Sequence, residues 1–183
     1  MKIALSLDSL SPYDFGTCVL ACAILFLISA LPASAHAQGV YAPLTASSLV
    51  SLANADRALH QVSLLAEDKM LDAAAQKKAD DMMAQGYFSH TTPDGKNPWY
   101  WLRSIGYYYT HAGENLASDF NNPVTVEQAW MASPLHRANI LGALYTRVGI
   151  GISHGFYRGK ETTFVVQFFT TPYIVKTTPA ALS

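Results

Sequence analysis

Cysteine is nearly missing from this chain: two in 183 residues, Cys18 and Cys22, both inside one apolar run near the start. Beyond that run no disulfide framework, zinc-thiolate cluster or cysteine nucleophile can be built. Charge of either sign is not in excess, with 12 basic against 13 acidic side chains. A polyanionic partner such as nucleic acid calls for a basic surface, and none is encoded. The sequence also lacks a glycine-rich loop leading into Lys-Ser or Lys-Thr, so it has no phosphate cradle, and it lacks the H-E-x-x-H pattern of zinc proteases.

Long hydrophobic runs are few as well. The main one, residues 17–31, is shorter than the roughly 20 residues that span a bilayer comfortably. Pro32 breaks it, and Ala35-His36-Ala37 supplies the small-x-small pattern for cleavage before Gln38. The leading segment carries Lys2 against Asp8 and Asp14, a poor basic flank. A cleaved signal over residues 1–37 is the preferred reading and an uncleaved anchor the alternative. Both put the remainder outside the cytoplasm, secreted, periplasmic or extracellular, with membrane contact only through that segment. Val19-Leu20-Ala21-Cys22 is no lipoprotein site, because the apolar stretch continues past Cys22. Without residues 1–37, 146 residues remain with 11 basic and 11 acidic side chains, the size of one domain.

Residues 38–46 read as a linker, residues 47–173 as the domain and residues 174–183 as a loose tail. A first helix fits residues 47–59, with Leu49, Leu52, Ala53 and Leu59 along one face. Glu67 or Asp68 starts a second, in which Leu71, Ala74, Ala75, Lys78 and Met82 recur at helical spacing and Gly86 supplies the stop. A short helix is expected over residues 98–106. Asn122-Pro123 caps and opens another, and Pro134 restarts it, so that His136 falls on a first turn. From Val148 the period becomes two, residues 162–169 are β-branched and aromatic, and Arg158-Gly159-Lys160 is a hairpin turn. Helices first and strands last argue an α+β fold.

What is present in strength is three patterned stretches that deliver His90, Glu114 and His136, 24 and then 22 residues apart. Two imidazoles and a carboxylate can share protons or hold a divalent metal such as zinc with an open position. Other chemistry-bearing residues weigh less. Gly151-Ile152-Ser153-His154-Gly155 matches the nucleophile-elbow pattern, but the elbow needs a strand followed by a helix, and neither an Asp nor a His follows His154. Ser153 and His154 are therefore expected at a strand end, away from any site. His60 has no patterned company. His111, three residues before Glu114, is either a third nitrogen ligand or, preferably, a surface residue. Tyr107-Tyr108-Tyr109 with Trp99 and Trp101 could wall an apolar groove or serve as core.

Ser89-His90 with Pro93-Asp94-Gly95, Gly113-Glu114-Asn115, and the run from Trp130 through Ser133-Pro134-Leu135-His136-Arg137 to Leu141 resemble the bacterial branch of the CAP superfamily. That group holds the cysteine-rich secretory proteins, antigen 5 and plant pathogenesis-related proteins. The likeness extends over residues 49–171 and takes in Asn54, Arg57, Val148-Gly149-Ile150-Gly151 and Val166-Gln167-Phe168. It implies an α-β-α sandwich around a mostly antiparallel sheet, with a cleft of two histidines and two acids at which metal binding has been proposed. His90 and Glu114 match the first histidine and acid. The second acid is replaced by Ser133, and the histidine before Gln167 is replaced by Phe164-Val165-Val166. Leu135 stands where bacterial relatives carry glycine, and Glu127 is an uncertain fourth member.

Three uses of such a cleft stand side by side. One is binding of a small-molecule, lipid or cell-envelope ligand through His90, Glu114 and His136, with or without a metal. The second is cell-envelope hydrolysis with Glu114 or a metal-bound water as base. The third is sterol or lipid carriage. All require His90, Glu114 and His136 to converge from three separate elements, with ring nitrogens within about 4–6 Å of the carboxylate. Arg137 should point away or bridge to an acid.

Overall fold

The computed structural model describes residues 43–173, all within the compact unit Val40–Ser183. The readings for residues 1–37, for most of 38–46 and for 174–183 lie outside the described residues. Helix α1 (Ala46–Leu59) starts at Thr45, whose hydroxyl accepts from Ser48 N, the first orphan donors of a helix being satisfied by such a cap. Helix α2 (Lys69–Gln85) is capped by Asp68 and ends at Gly86, in the left-handed conformation at φ 69°. The short helix is α3 (Trp99–Ser104), and α4 (Pro123–Ala132) and α5 (Pro134–Ile140) meet at Ser133. Strands β1 (Ala66–Glu67), β2 (Tyr109–Ser118), β3 (Arg147–Tyr157) and β4 (Lys160–Pro172) form one sheet in the order β1-β3-β4-β2.

Only the two-residue β1 runs parallel to its neighbour; the other pairings are antiparallel. Tyr157 pairs with Lys160 across Arg158 and Gly159, both at positive φ, the two-residue turn that matches strand twist. Alternation along the strands sends residues to opposite faces. Val148, Ile150, Val165 and Phe169 join α1, α4 and α5 through Leu49, Ala53, Val126, Trp130 and Ile140. Phe164, Val166, Phe168 and Leu116 join α2 and α3 through Leu71, Ala75, Met82 and Leu102. The expected α-β-α sandwich is present.

Two strands went unread in the sequence. β1 is too short to carry a pattern. β2 lacks a clean alternation because residues 113–117 are all buried. The small residues of β3 have a different cause from turn formation: a Cβ on Gly149 would lie 2.3 Å from Leu71, and one on Gly151 2.2 Å from the Ala75 backbone. Helix α2 therefore lies directly on the strand, held by Asp72 Oδ1 accepting from Ile150 N and Gln76 Oε1 accepting from Ile152 N, each at 2.9 Å. Those bonds also cover β3 beyond the end of β1, where an unpaired edge would otherwise be exposed.

Arg57 fixes the opposite layer. It is fully buried and donates to the carbonyls of Ser63 and Ile140 at 2.7 Å, Gly142 at 3.0 Å and Tyr145 at 3.2 Å. A guanidinium placed on the orphan carbonyls at the end of α5 suits the negative end of the helix, and it sets where α5 lies. Asn54 exchanges two bonds with Leu65, Nδ2 to O at 2.9 Å and N to Oδ1 at 2.8 Å, fixing the approach to β1. Replacing Gly151 with Ala should cost about 1–3 kcal/mol or more through overpacking against α2. Urea unfolding measures it; a change within about 0.5 kcal/mol, the ordinary range for surface sites, would contradict this packing.

Candidate functional site

The site forms where β2, the outer strand of the sheet, passes between α2 and α5. After Gly86 the chain leaves α2 and turns through residues 92–96, with Gly95 N donating to Thr92 O at 2.9 Å and Lys96 N to Thr92 Oγ1 at 2.8 Å. His90 is thereby set over β2. Glu114 points to the α2 side of the sheet, and Asn115, next along the strand, to the α5 side. Asn115 Nδ2 donates to His136 O at 3.2 Å and to Gln167 Oε1 at 3.0 Å. Asn139 of α5 donates to Glu114 O at 3.0 Å and Asn115 Oδ1 at 2.9 Å, and Trp130 Nε1 donates to Leu116 O at 3.0 Å. The free edge of β2 is thus satisfied by side chains of α4 and α5, which lock His136 into register with Glu114.

The centre is a chain of charges. Lys78 Nζ approaches Glu114 Oε2 at 2.9 Å and donates to His90 O at 2.6 Å, while His90 Nδ1 meets Glu114 Oε1 at 2.5 Å. Lys78 is completely buried, the Glu114 side chain is 2% exposed and that of His90 57% exposed. Burial pushes the Lys78 ammonium down from its ordinary pKa, and the neighbouring Glu114 carboxylate opposes that shift. The Lys78–Glu114 contact is an ion pair at an angle too poor for a hydrogen bond, which leaves Oε2 with no hydrogen-bond partner. The His136 pKa is lowered by burial and then by the nearby charge of His90, which favours the neutral ring. His90 therefore meets Glu114 directly, while His136 is near enough to His90 to feel its charge.

Glu114 is not placed to complete a three-ligand divalent-ion site with the two histidines. Glu114 Oε2 faces the Lys78 ammonium, Oε1 and His90 Nδ1 engage each other, and a metal would have to displace a buried cation. Among the described residues no three His, Cys, Asp or Glu side chains are arranged around a common point. The sequence reading missed Lys78 as a site residue. Its signal was its place in the apolar stripe of α2, since a lysine there needs a buried partner.

A model of the cysteine-rich secretory protein family, CAP, matches residues 50–169. The chain belongs to that family. The uncharacterized protein YkwD of Bacillus subtilis is 38% identical over 103 residues, 56% of this chain and 40% of that protein. An extracellular protein containing an SCP domain from Bacillus anthracis superposes with a TM-score of 0.60 at 29% identity, covering 69% of this chain and 40% of that one. An outer surface protein of Borrelia burgdorferi shares the fold at a TM-score of 0.59 and 20% identity, with 73% of this chain and 99% of that one covered. The chain spans 40% or less of the curated relatives it matches. No helix among the described residues is long and apolar enough to cross a membrane.

Around this CAP cleft the readings of Glu127 and of the strand-end position of Ser153 and His154 need correction, whereas His111 and Arg137 lie where they were expected. Glu127 is no fourth member: it is buried on α4 against Asp56 of α1. Neither oxygen of its buried carboxyl has a hydrogen-bond partner, and burial followed by the Asp56 charge pushes the Glu127 pKa up to about 8. His111 is exposed beside Thr110, because an odd separation from Glu114 along a strand reverses the face. Ser153 and His154 lie inside β3 and pair with Phe164 and Thr163, so the segment is strand rather than strand end and no helix follows it. Arg137 Nη2 lies 3.1 Å from His60 Nε2, pointing away from Glu114 and meeting no acid. Tyr107 and Trp101 are buried in the core rather than walling a groove, and Tyr108 is exposed.

Two measurements follow from these charges. Lys78→Met should destabilise the protein by about 3–5 kcal/mol, as expected when one partner of a buried pair is removed, and adding Glu114→Gln should restore part of that loss. Additive losses in urea unfolding would contradict the pairing. Because Glu127 binds its proton more tightly folded than unfolded, its contribution is complete below about pH 4.5 and fades as pH rises through about 8. Glu127→Gln should flatten that decline, and an unchanged stability–pH profile would contradict it.

Proposed function

We propose that this chain is an extracytoplasmic CAP domain that binds a ligand along the β2 edge through His90 and His136, without a metal. The carrying observation is the Lys78–Glu114–His90 chain. Glu114 is used internally, its carboxylate fixing Nδ1 of His90, and the ring edge bearing Nε2 is left as the group offered to a ligand. Beside it, a hollow of about 260 Å³ is lined by residues including Phe88, Leu116, Trp130, Ser133 and His136. Apolar walls with a neutral imidazole suit a ligand that presents an oxygen or N–H to the histidines and an apolar portion to the hollow.

The hydrolytic reading draws on the same geometry. A carboxylate that orients an imidazole is how a general base is held, so in this reading the base is His90 and not the enclosed Glu114. The nucleophile is the missing part. Beside the histidines, sterol or lipid carriage has the small hollow to work with, since Tyr107 and Trp101 are buried in the core.

Thermal unfolding of the full chain against peptidoglycan fragments, fatty acids and short peptides tests the binding reading. A ligand of the cleft should stabilise the wild type, by about 2.7 kcal/mol at a hundredfold excess over Kd, and His136→Ala far less. Equal stabilisation of both, or stabilisation by no compound, would contradict it. Turnover of peptidoglycan or casein that disappears in His90→Ala would decide for hydrolysis.

A further inference from the structure

A second hollow lies away from the histidines. It encloses about 600 Å³ at the free end of the β3–β4 hairpin, within the range of small-molecule sites. Its floor is two cross-strand pairs on one face of the sheet, His154 with Thr163 and Phe156 with Glu161. Its wall is the bend after β2, where Asp119 takes φ 67° and its N–H donates to Thr163 O at 3.0 Å. His154 Nδ1 is held by Thr163 Oγ1 at 2.8 Å, and Phe156 is 70% exposed. Phe120 lines both this hollow and the one beside His136, so the two share a wall. Asp119 lies five residues beyond Glu114, about 17 Å at the rise of an extended strand.

We propose that the hairpin hollow is the far half of one groove and that the groove takes a neutral oligosaccharide. A span of this length exceeds a single sugar or amino acid. A peptide added as a fifth strand is excluded at the outer edge of β2, since Glu114 O is taken by Asn139 and Leu116 O by Trp130. A polyanion is excluded because Lys160, the cation in the lining, is tied to Asp119 at 3.4 Å while Glu161 adds a negative charge. What remains suits a chain of hydroxyls with apolar faces. Asp119, Glu161, His154 and Thr163 offer hydrogen bonds, and the Phe156 and Phe120 rings offer flat apolar surface. The join to the His136 hollow rests on the cleft reading above; the hairpin site does not.

The test titrates the full chain with the N-acetylglucosamine tetramer by calorimetry, beside Phe156→Ala and His136→Ala. Phe156 packs on little, so its removal leaves the fold intact, which a thermal melt confirms. The tetramer should bind in the millimolar range or tighter, and Phe156→Ala should weaken it by about tenfold or more, as for an aromatic anchor. His136→Ala should weaken it as well. No binding at about 10 mM, where even a millimolar ligand saturates, or wild-type affinity in Phe156→Ala, would overturn the proposal. Weakening by Phe156→Ala alone would keep the saccharide site and remove its join to the cleft.

Discussion

A lysine ammonium with no solvent exposure is tolerable only beside a carboxylate, and Lys78 has that partner in Glu114. The rest of the site depends on this pair. At 2% side-chain exposure Glu114 has the ammonium against one oxygen, and its other oxygen holds His90. The same ammonium donates to the His90 carbonyl, so one buried cation fixes both the backbone and, through Glu114, the ring. His90 is consequently the part of the cluster that meets solvent. A cation supplied by the chain lies against Oε2 of Glu114.

The second imidazole is positioned by a separate set of constraints. Arg57 holds the end of α5 by its carbonyls, and the Asn115–His136 and Asn139–Glu114 bonds tie the first turn and the last turn of α5 to β2. These are hydrogen bonds from side chains to backbone groups that would otherwise be buried unpaired, each costly to leave unmade. The family motifs around Asn54, Arg57, Asn115 and Asn139 thus read as scaffold: they place His136 without entering the chemistry. Glycines 149 and 151 do the corresponding service on the other face, letting α2 rest on β3 so that Lys78 reaches β2.

Much of this was legible in the sequence, for identifiable reasons. Asp68, Gly86, Asn122 with Pro123, and Pro134 set the helix ends through local chemistry, and the structure places each as read. The Arg158-Gly159 turn and the alternating β3 were equally local. The meeting of His90 with Glu114 was available only through the family resemblance, because separate elements carry them. Lys78 sat in plain view on an apolar stripe, yet its partner lies 36 positions along the chain, and periodicity says nothing of partners. Strand β2 escaped because burial on both faces erases the alternation that marks a strand. Glu127 misled for a related reason: sequence proximity to the Trp130 motif gave no hint that its helix turns it toward Asp56.

Lys78 and His90 between them engage both oxygens of Glu114, which leaves neither for a metal. Zinc calorimetry on the full chain, wild type against Glu114→Gln, tests it most directly. The account predicts that the two proteins give the same heats, with no isotherm that depends on Glu114. A one-to-one zinc isotherm in the micromolar range or tighter that is lost in Glu114→Gln would contradict it.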